Sequence, residues 1–128
     1  MATIHLKTDC GNSPKRAWLK AFNVAFAEGQ VDYLLDCVTD DVVWEIIGDK
    51  TLQGKAAYAQ TLTDMQDYPI AAYRIDHIIT HGKEGAVNGQ VTLANGTLVA
   101  FCDIYEFANA KGTQLRRIVS YAQELPNA

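Results

Sequence analysis

The sequence predicts an α+β domain: three helices in the first half and a curved antiparallel sheet with the helices on one of its faces. Two observations carry this. Apolar residues recur at helical spacing through residues 14–66, interrupted by one strand-like run, and from Ala71 onward the pattern changes to four long strand-like runs separated by explicit turns. The chain has 128 residues, 48% of them hydrophobic and 20% charged, enough apolar side chain for one core and too little length for separate cofactor and substrate domains.

Each element has its own signal. Ser13-Pro14 opens the first helix, since serine caps free amides and proline at the first helical position gives up no needed donor. Trp18, Phe22, Ala25 and Phe26 form its apolar stripe and Gly29 closes it. A short helix at about 31–37 carries Leu34 and Leu35. Thr39-Asp40-Asp41 then turns the chain into a strand over 42–47, and a polar loop (48–54) leads to a third helix from Lys55 to about Gln66, ended by Tyr68-Pro69. Four strands follow at 72–80, 86–94, 98–107 and 115–123, with Asn95-Gly96 a hairpin signal. Residues 1–12 read as a flexible leader and residues 13–128 as the single domain.

Charge and composition narrow the function. Eleven Lys and Arg against fifteen Asp and Glu give a net charge of −4 and a pI near 5.2, the wrong sign for nucleic acid or anionic lipid, so neither is expected as a partner. No apolar run approaches the length of a membrane span or a signal-peptide core, which makes the cytoplasm the expected location. Cys10, Cys37 and Cys102 are widely spaced and form no metal pattern, and His77 and His81, four residues apart on a strand, are about 13 Å apart, too far to share a zinc. No metal or cofactor is expected.

The run Phe22-Asn23-Val24-Ala25-Phe26-Ala27-Glu28-Gly29-Gln30-Val31-Asp32-Tyr33-Leu34-Leu35, followed by Thr39-Asp40-Asp41-Val42-Val43-Trp44-Glu45, resembles the opening of the nuclear-transport-factor-2-like superfamily, in particular its SnoaL-like and ketosteroid-isomerase-like branch. Gln53-Gly54-Lys55-Ala56-Ala57 and Phe101-Cys102-Asp103-Ile104-Tyr105-Glu106-Phe107 resemble the start of its third helix and its penultimate strand. The resemblance implies a cystatin-like cone whose bent sheet wraps the helices around a deep apolar pocket. It implies no single activity, because isomerases, polyketide cyclases, epoxide hydrolases, dehydratases and non-catalytic binding domains share the fold.

Matching the branches residue by residue sorts these chemistries. In the isomerase pattern the protonated-acid position falls on Asp103, but the general-base position falls on Ile46 and the tyrosine position on Phe22. In the epoxide-hydrolase pattern the three polar positions fall on Val91, Leu93 and Ser120, so that triad is missing. Asp103 remains, flanked on its strand face by Phe101 and Tyr105. It is the candidate acid/base, with a raised pKa expected at a pocket floor. Phe22, Trp44 and Ile46 are the expected apolar walls, and Phe101, Tyr105, Ile118, Ser120 and, nearer the mouth, Arg116 the further ligand contacts. An alternative for Arg116 is an exposed pair with Glu106.

Two readings stay open: a cofactor-free isomerase, cyclase or lyase acting on a small hydrophobic ligand through Asp103, or a non-catalytic ligand-binding domain. Asp103 with two partners such as Tyr105 and Ser120 would favour the enzyme, and Asp103 alone the binder. Strand 72–80 carries apolar residues on both faces by strict alternation, Tyr73, Ile75, His77 and Ile79 on one and Ile78 on the other. This predicts a covered outer surface and a homodimer formed through the sheet.

Overall fold

The computed structural model describes residues 2–126. Its elements in chain order are β1 (Thr3–Leu6), α1 (Pro14–Ala27), α2 (Val31–Asp36), β2 (Val38–Ile46), β3 (Lys50–Gln53), α3 (Lys55–Met65), β4 (Ile70–His81), β5 (Glu84–Leu93), β6 (Leu98–Phe107) and β7 (Leu115–Leu125). The seven strands form one curved, unclosed sheet in the order β1-β4-β5-β6-β7-β2-β3, with the helices on its inner face. The expected α+β architecture is therefore the observed one.

Local chemistry fixes the helices as expected. The Ser13 hydroxyl accepts the Arg16 amide at 3.3 Å, and Pro14 occupies the first turn. Gly29 leaves α1 with φ +68°, a left-handed conformation open to glycine, while the Glu28 and Gln30 amides bond back to Val24 and Ala25 carbonyls at 3.0 Å. α1 then buries Leu19, Phe22, Asn23 and Ala25 against the sheet.

The meander β4-β5-β6-β7 is antiparallel throughout, and β2 adds to it in parallel through β7, pairing Trp44 with Ile118 and Ile46 with Ser120. The sheet bends where the ladder is irregular. In β4 the register slips at Asp76, the extra residue between the pairs Ile75–Gly89 and His77–Asn88. Opposite this bulge a Cβ on Gly89 would come within 1.8 Å of the Arg74 carbonyl oxygen, so only glycine lets the two backbones approach.

Three expectations are corrected here. Residues 1–12 are not wholly a leader: Thr3–Leu6 forms edge strand β1, parallel to β4, with Ile4 against the core, and the Arg16 guanidinium holds the following turn through Thr8 Oγ1 at 3.0 Å. Four half-exposed residues carry too little periodicity to announce a strand. Within the expected polar loop, Lys50–Gln53 forms β3, pairing Leu52 with Trp44 across the Gly48 turn and capping the free side of β2. The bulge at Asp76 also overturns strict alternation in β4. Tyr73, Ile75 and Ile78 all face inward and are buried, whereas His77 and Ile79 face out.

Among the described residues no helix is long and apolar enough to cross a membrane.

Candidate functional site

A cavity of about 570 Å³ lies between the inner face of the sheet and the three helices. Its walls are apolar: Phe22 and Phe26 from α1, Trp44 and Ile46 from β2, Tyr58 and Leu62 from α3, Phe101 from β6 and Ile118 from β7. Alternation places them there, since Trp44 and Ile46 share the inner face of β2 and Phe101, Asp103 and Tyr105 share that of β6. Buried Asn23, Tyr105 and Ile118 mark the deep part, and exposed Gln66, Tyr68, Pro69 and Ala122 the rim.

Asp103 is the acidic group of the deep part. Its register partner on β7 is Ser120, whose hydroxyl stands beside the carboxylate and favours its charged form, and the Tyr105 hydroxyl donates to Asp103 Oδ2 at 3.2 Å. Burial pushes the Asp103 pKa from the ordinary value of 3.8 up to about 6, against the downward pull of the hydrogen bonds from Ser120 and Tyr105. Burial likewise raises the Tyr73 and Tyr105 phenols well above their usual range, the Asp103 carboxylate adding to the effect, so both remain neutral donors.

The polar cluster continues behind these residues. Trp44 Nε1 donates to Ser120 Oγ at 2.9 Å. Tyr73 OH donates to Asn23 Oδ1 at 2.7 Å, and Asn23 Nδ2 donates to the Leu19 carbonyl at 2.9 Å and to the Tyr105 oxygen at 3.2 Å. Rings pack around the cluster, Phe22 edge-on to Tyr105 at 5.8 Å and Tyr73 against Phe101 at 5.1 Å.

Eight of the nine expected site residues, Phe22, Trp44, Ile46, Phe101, Asp103, Tyr105, Ile118 and Ser120, line this one cavity. Arg116 does not. It is the extra residue of a bulge between the pairs Phe107–Leu115 and Glu106–Arg117, which breaks alternation between Ile118 and Arg116. Leu115 takes the inward place, and Arg116 lies exposed and paired with Glu106 at 3.1 Å. Glu45 faces outward, bonded to Arg117 at 2.6 Å, so no second carboxylate enters from β2. Cys37 is buried, which pushes its thiol to about 11 and keeps it an inert core residue.

Sequence reasoning missed Asn23 and Tyr73, two of the six side chains of the polar cluster. A signal for Asn23 was present: it stands four residues after Leu19 within an otherwise apolar helical face, where an amide needs a buried partner. Tyr73 gave none, because a strand tyrosine looks the same whether its hydroxyl meets solvent or another side chain.

With this geometry in view, comparison with known proteins places the chain. The SnoaL-like domain model matches residues 17–115, and the protein belongs to that family. No curated protein matches. Among similar solved structures, the NTF-2 like protein of unknown function from Burkholderia xenovorans LB400 is 20% identical over 89% of this chain and 86% of its own, with TM-score 0.74. The epoxide hydrolase/cyclase-like enzyme SalBIII, described in pyran ring formation in the polyether salinomycin, is 18% identical over 88% and 93%, TM-score 0.72. A Mycobacterium tuberculosis LEH-like epoxide hydrolase ("M.tuberculosis") is 19% identical over 85% and 82%, TM-score 0.72. At these identities the likeness is one of fold.

Proposed function

We propose that the protein is a cofactor-free enzyme of the isomerase, cyclase or lyase type, in which Asp103 moves a proton on a small hydrophobic substrate held in the cavity. The observation that carries this is the setting of Asp103: Tyr105 hydrogen-bonds the carboxyl group and Ser120 stands beside it at an apolar floor, with a pKa near 6. Above that pH the carboxylate accepts a proton from an acidic O–H or C–H bond of the substrate. The resulting carboxylic acid returns the proton at another atom, and the balance needs no oxidant or reductant. Phe22, Trp44, Ile46, Phe101 and Ile118 exclude water and position the substrate.

The fold-level likeness to a cyclase-like enzyme and an epoxide hydrolase supports enzymes as a class and names no substrate here. The test is incorporation of solvent deuterium into a panel of small apolar carbon acids, followed by NMR. The wild type is expected to catalyse exchange that falls at least a hundredfold in Asp103→Asn. Equal exchange by both proteins, or none by either, would leave the non-catalytic binding domain as the better reading.

The functional unit is proposed to be a homodimer joined through the outer sheet face. Ile79, Ala86, Ile104 and Val119 form a transverse row there, with Ile79 61% and Ile104 37% exposed. Cytoplasmic residence fits the free thiols of Cys10, Cys37 and Cys102.

A further inference from the structure

The hydrogen bonds around Asp103 all run toward it. An indole N–H can only donate, so Ser120 Oγ accepts from Trp44 and its own proton is left for the carboxylate beside it. The Leu19 carbonyl can only accept, which fixes the Asn23 amide with its nitrogen toward Leu19 and Tyr105 and its oxygen toward Tyr73. Tyr105, accepting from Asn23, donates onward to Asp103 Oδ2. Trp44, Ser120, Tyr73, Asn23 and Tyr105 thus spend their donors inside the protein, along two branches that end on one carboxylate.

A carboxylate offers about four acceptor directions; Tyr105 fills one and the Ser120 hydroxyl stands by for a second, which leaves about two. At this end of the cavity the unspent polar capacity is acceptor capacity. No Lys, Arg or His lines the cavity among the described residues, so an anionic ligand would meet Asp103 without a counter-charge. A ligand carbonyl or ether at Asp103 would find the donors of Tyr105, Ser120 and Trp44 already directed to protein acceptors. An ammonium group would bring three N–H donors to two free directions, leaving one unpaired against apolar walls.

We infer that the cavity recognises its ligand through a hydroxyl group, an alcohol, phenol or enol O–H donated to Asp103, on an otherwise apolar neutral molecule. This rests on the reading of the cavity as the ligand site and specifies the substrate class for it. The hydroxyl then sits where a carboxylate base can take its proton.

The experiment is calorimetric titration at pH 7.5 with four matched probes: naphthol, methoxynaphthalene, acetylnaphthalene and naphthylmethylamine, substituted at the same ring position. Naphthol is expected to bind at least about tenfold tighter than the other three. That advantage over acetylnaphthalene is expected to fall at least threefold in Asp103→Asn, whose amide brings a donor. Ser120→Ala, which keeps the carboxylate and frees one of its acceptor directions, retains the advantage, so the inference stays testable if the asparagine variant does not fold. Acetylnaphthalene, methoxynaphthalene or the amine binding as tightly as naphthol would overturn the inference, as would the absence of binding by all four. Failure of proton transfer is distinguishable: an ordinary Asp103 pKa would remove the acid/base role while leaving the hydroxyl preference standing, because an ionised carboxylate still accepts.

Discussion

Replacing Asp103 by asparagine is expected to stabilise the fold at neutral pH while removing the acid/base group. The magnitude follows from the displaced pKa. A group held at about 6 in the folded protein and 3.8 when unfolded represents about 3 kcal/mol at 1.36 kcal/mol per tenfold change. The sign is set by proton affinity. The folded protein binds the Asp103 proton more tightly than the unfolded chain, so stability falls as pH rises from about 4 to about 6 and carries the whole penalty above that window. Asparagine has no charge to desolvate, and the Tyr105 hydroxyl can turn from position 103 to Asn23 Oδ1, 3.4 Å away, to accept the new amide N–H. At pH 7.5 the variant is therefore expected to gain up to about 3 kcal/mol, or about 10 °C in melting temperature for a chain of this size. At pH 4 the gain is expected to shrink to about 0.5 kcal/mol. Urea denaturation of both proteins at the two pH values measures the difference, and other titrating groups cancel in it. An asparagine variant less stable than the wild type at pH 7.5, or a difference unchanged between the two pH values, would refute the reasoning.

Other substitutions probe the rest of the site and its scaffold. Tyr105→Phe removes one donor from Asp103 and strips Asn23 Nδ2 of a buried partner. It should raise the Asp103 pKa further, measurable by NMR, and lower stability by about 1–3 kcal/mol. Gly89→Ala drives a Cβ into the Arg74 carbonyl and should weaken the β4-β5 pairing by about 3 kcal/mol or more, seen as a lowered urea midpoint; a loss below about 1 kcal/mol would show that the bulge relaxes easily. Ile104→Lys, central on the outer sheet face, is expected to shift the mass in light scattering from dimer to monomer, and a monomeric wild type at micromolar concentration would end the dimer proposal.

What could be read from the residues depended on how local the signal was. Ser13, Pro14 and Gly29 each act on the backbone around them, and the structure uses them as caps. Inward placement of Phe101, Asp103 and Tyr105 followed from period-two alternation, because their part of β6 pairs without interruption. Arg116 and Ile78 were misplaced for the converse reason. Arg116 is the extra residue of one bulge and Ile78 follows another, and a bulge is set by how two strands fit together rather than by the residues on either one. β1 was missed because its partner, β4, is distant in sequence. The chain of bonds from Tyr73 through Asn23 to Tyr105 joins three elements, so it emerged only with the packing, although an amide inside an apolar helix face was its trace in the sequence.

The central claim is that Asp103 is a carboxyl group tuned for proton transfer by its place in the cavity, and its titration by NMR tests that most directly. Side-chain carboxyl shifts followed from pH 3 to pH 9 should show Asp103 titrating near 6, with Ser120 and Tyr105 resonances moving in the same step. A midpoint near the ordinary aspartate value of about 3.9 would contradict the account.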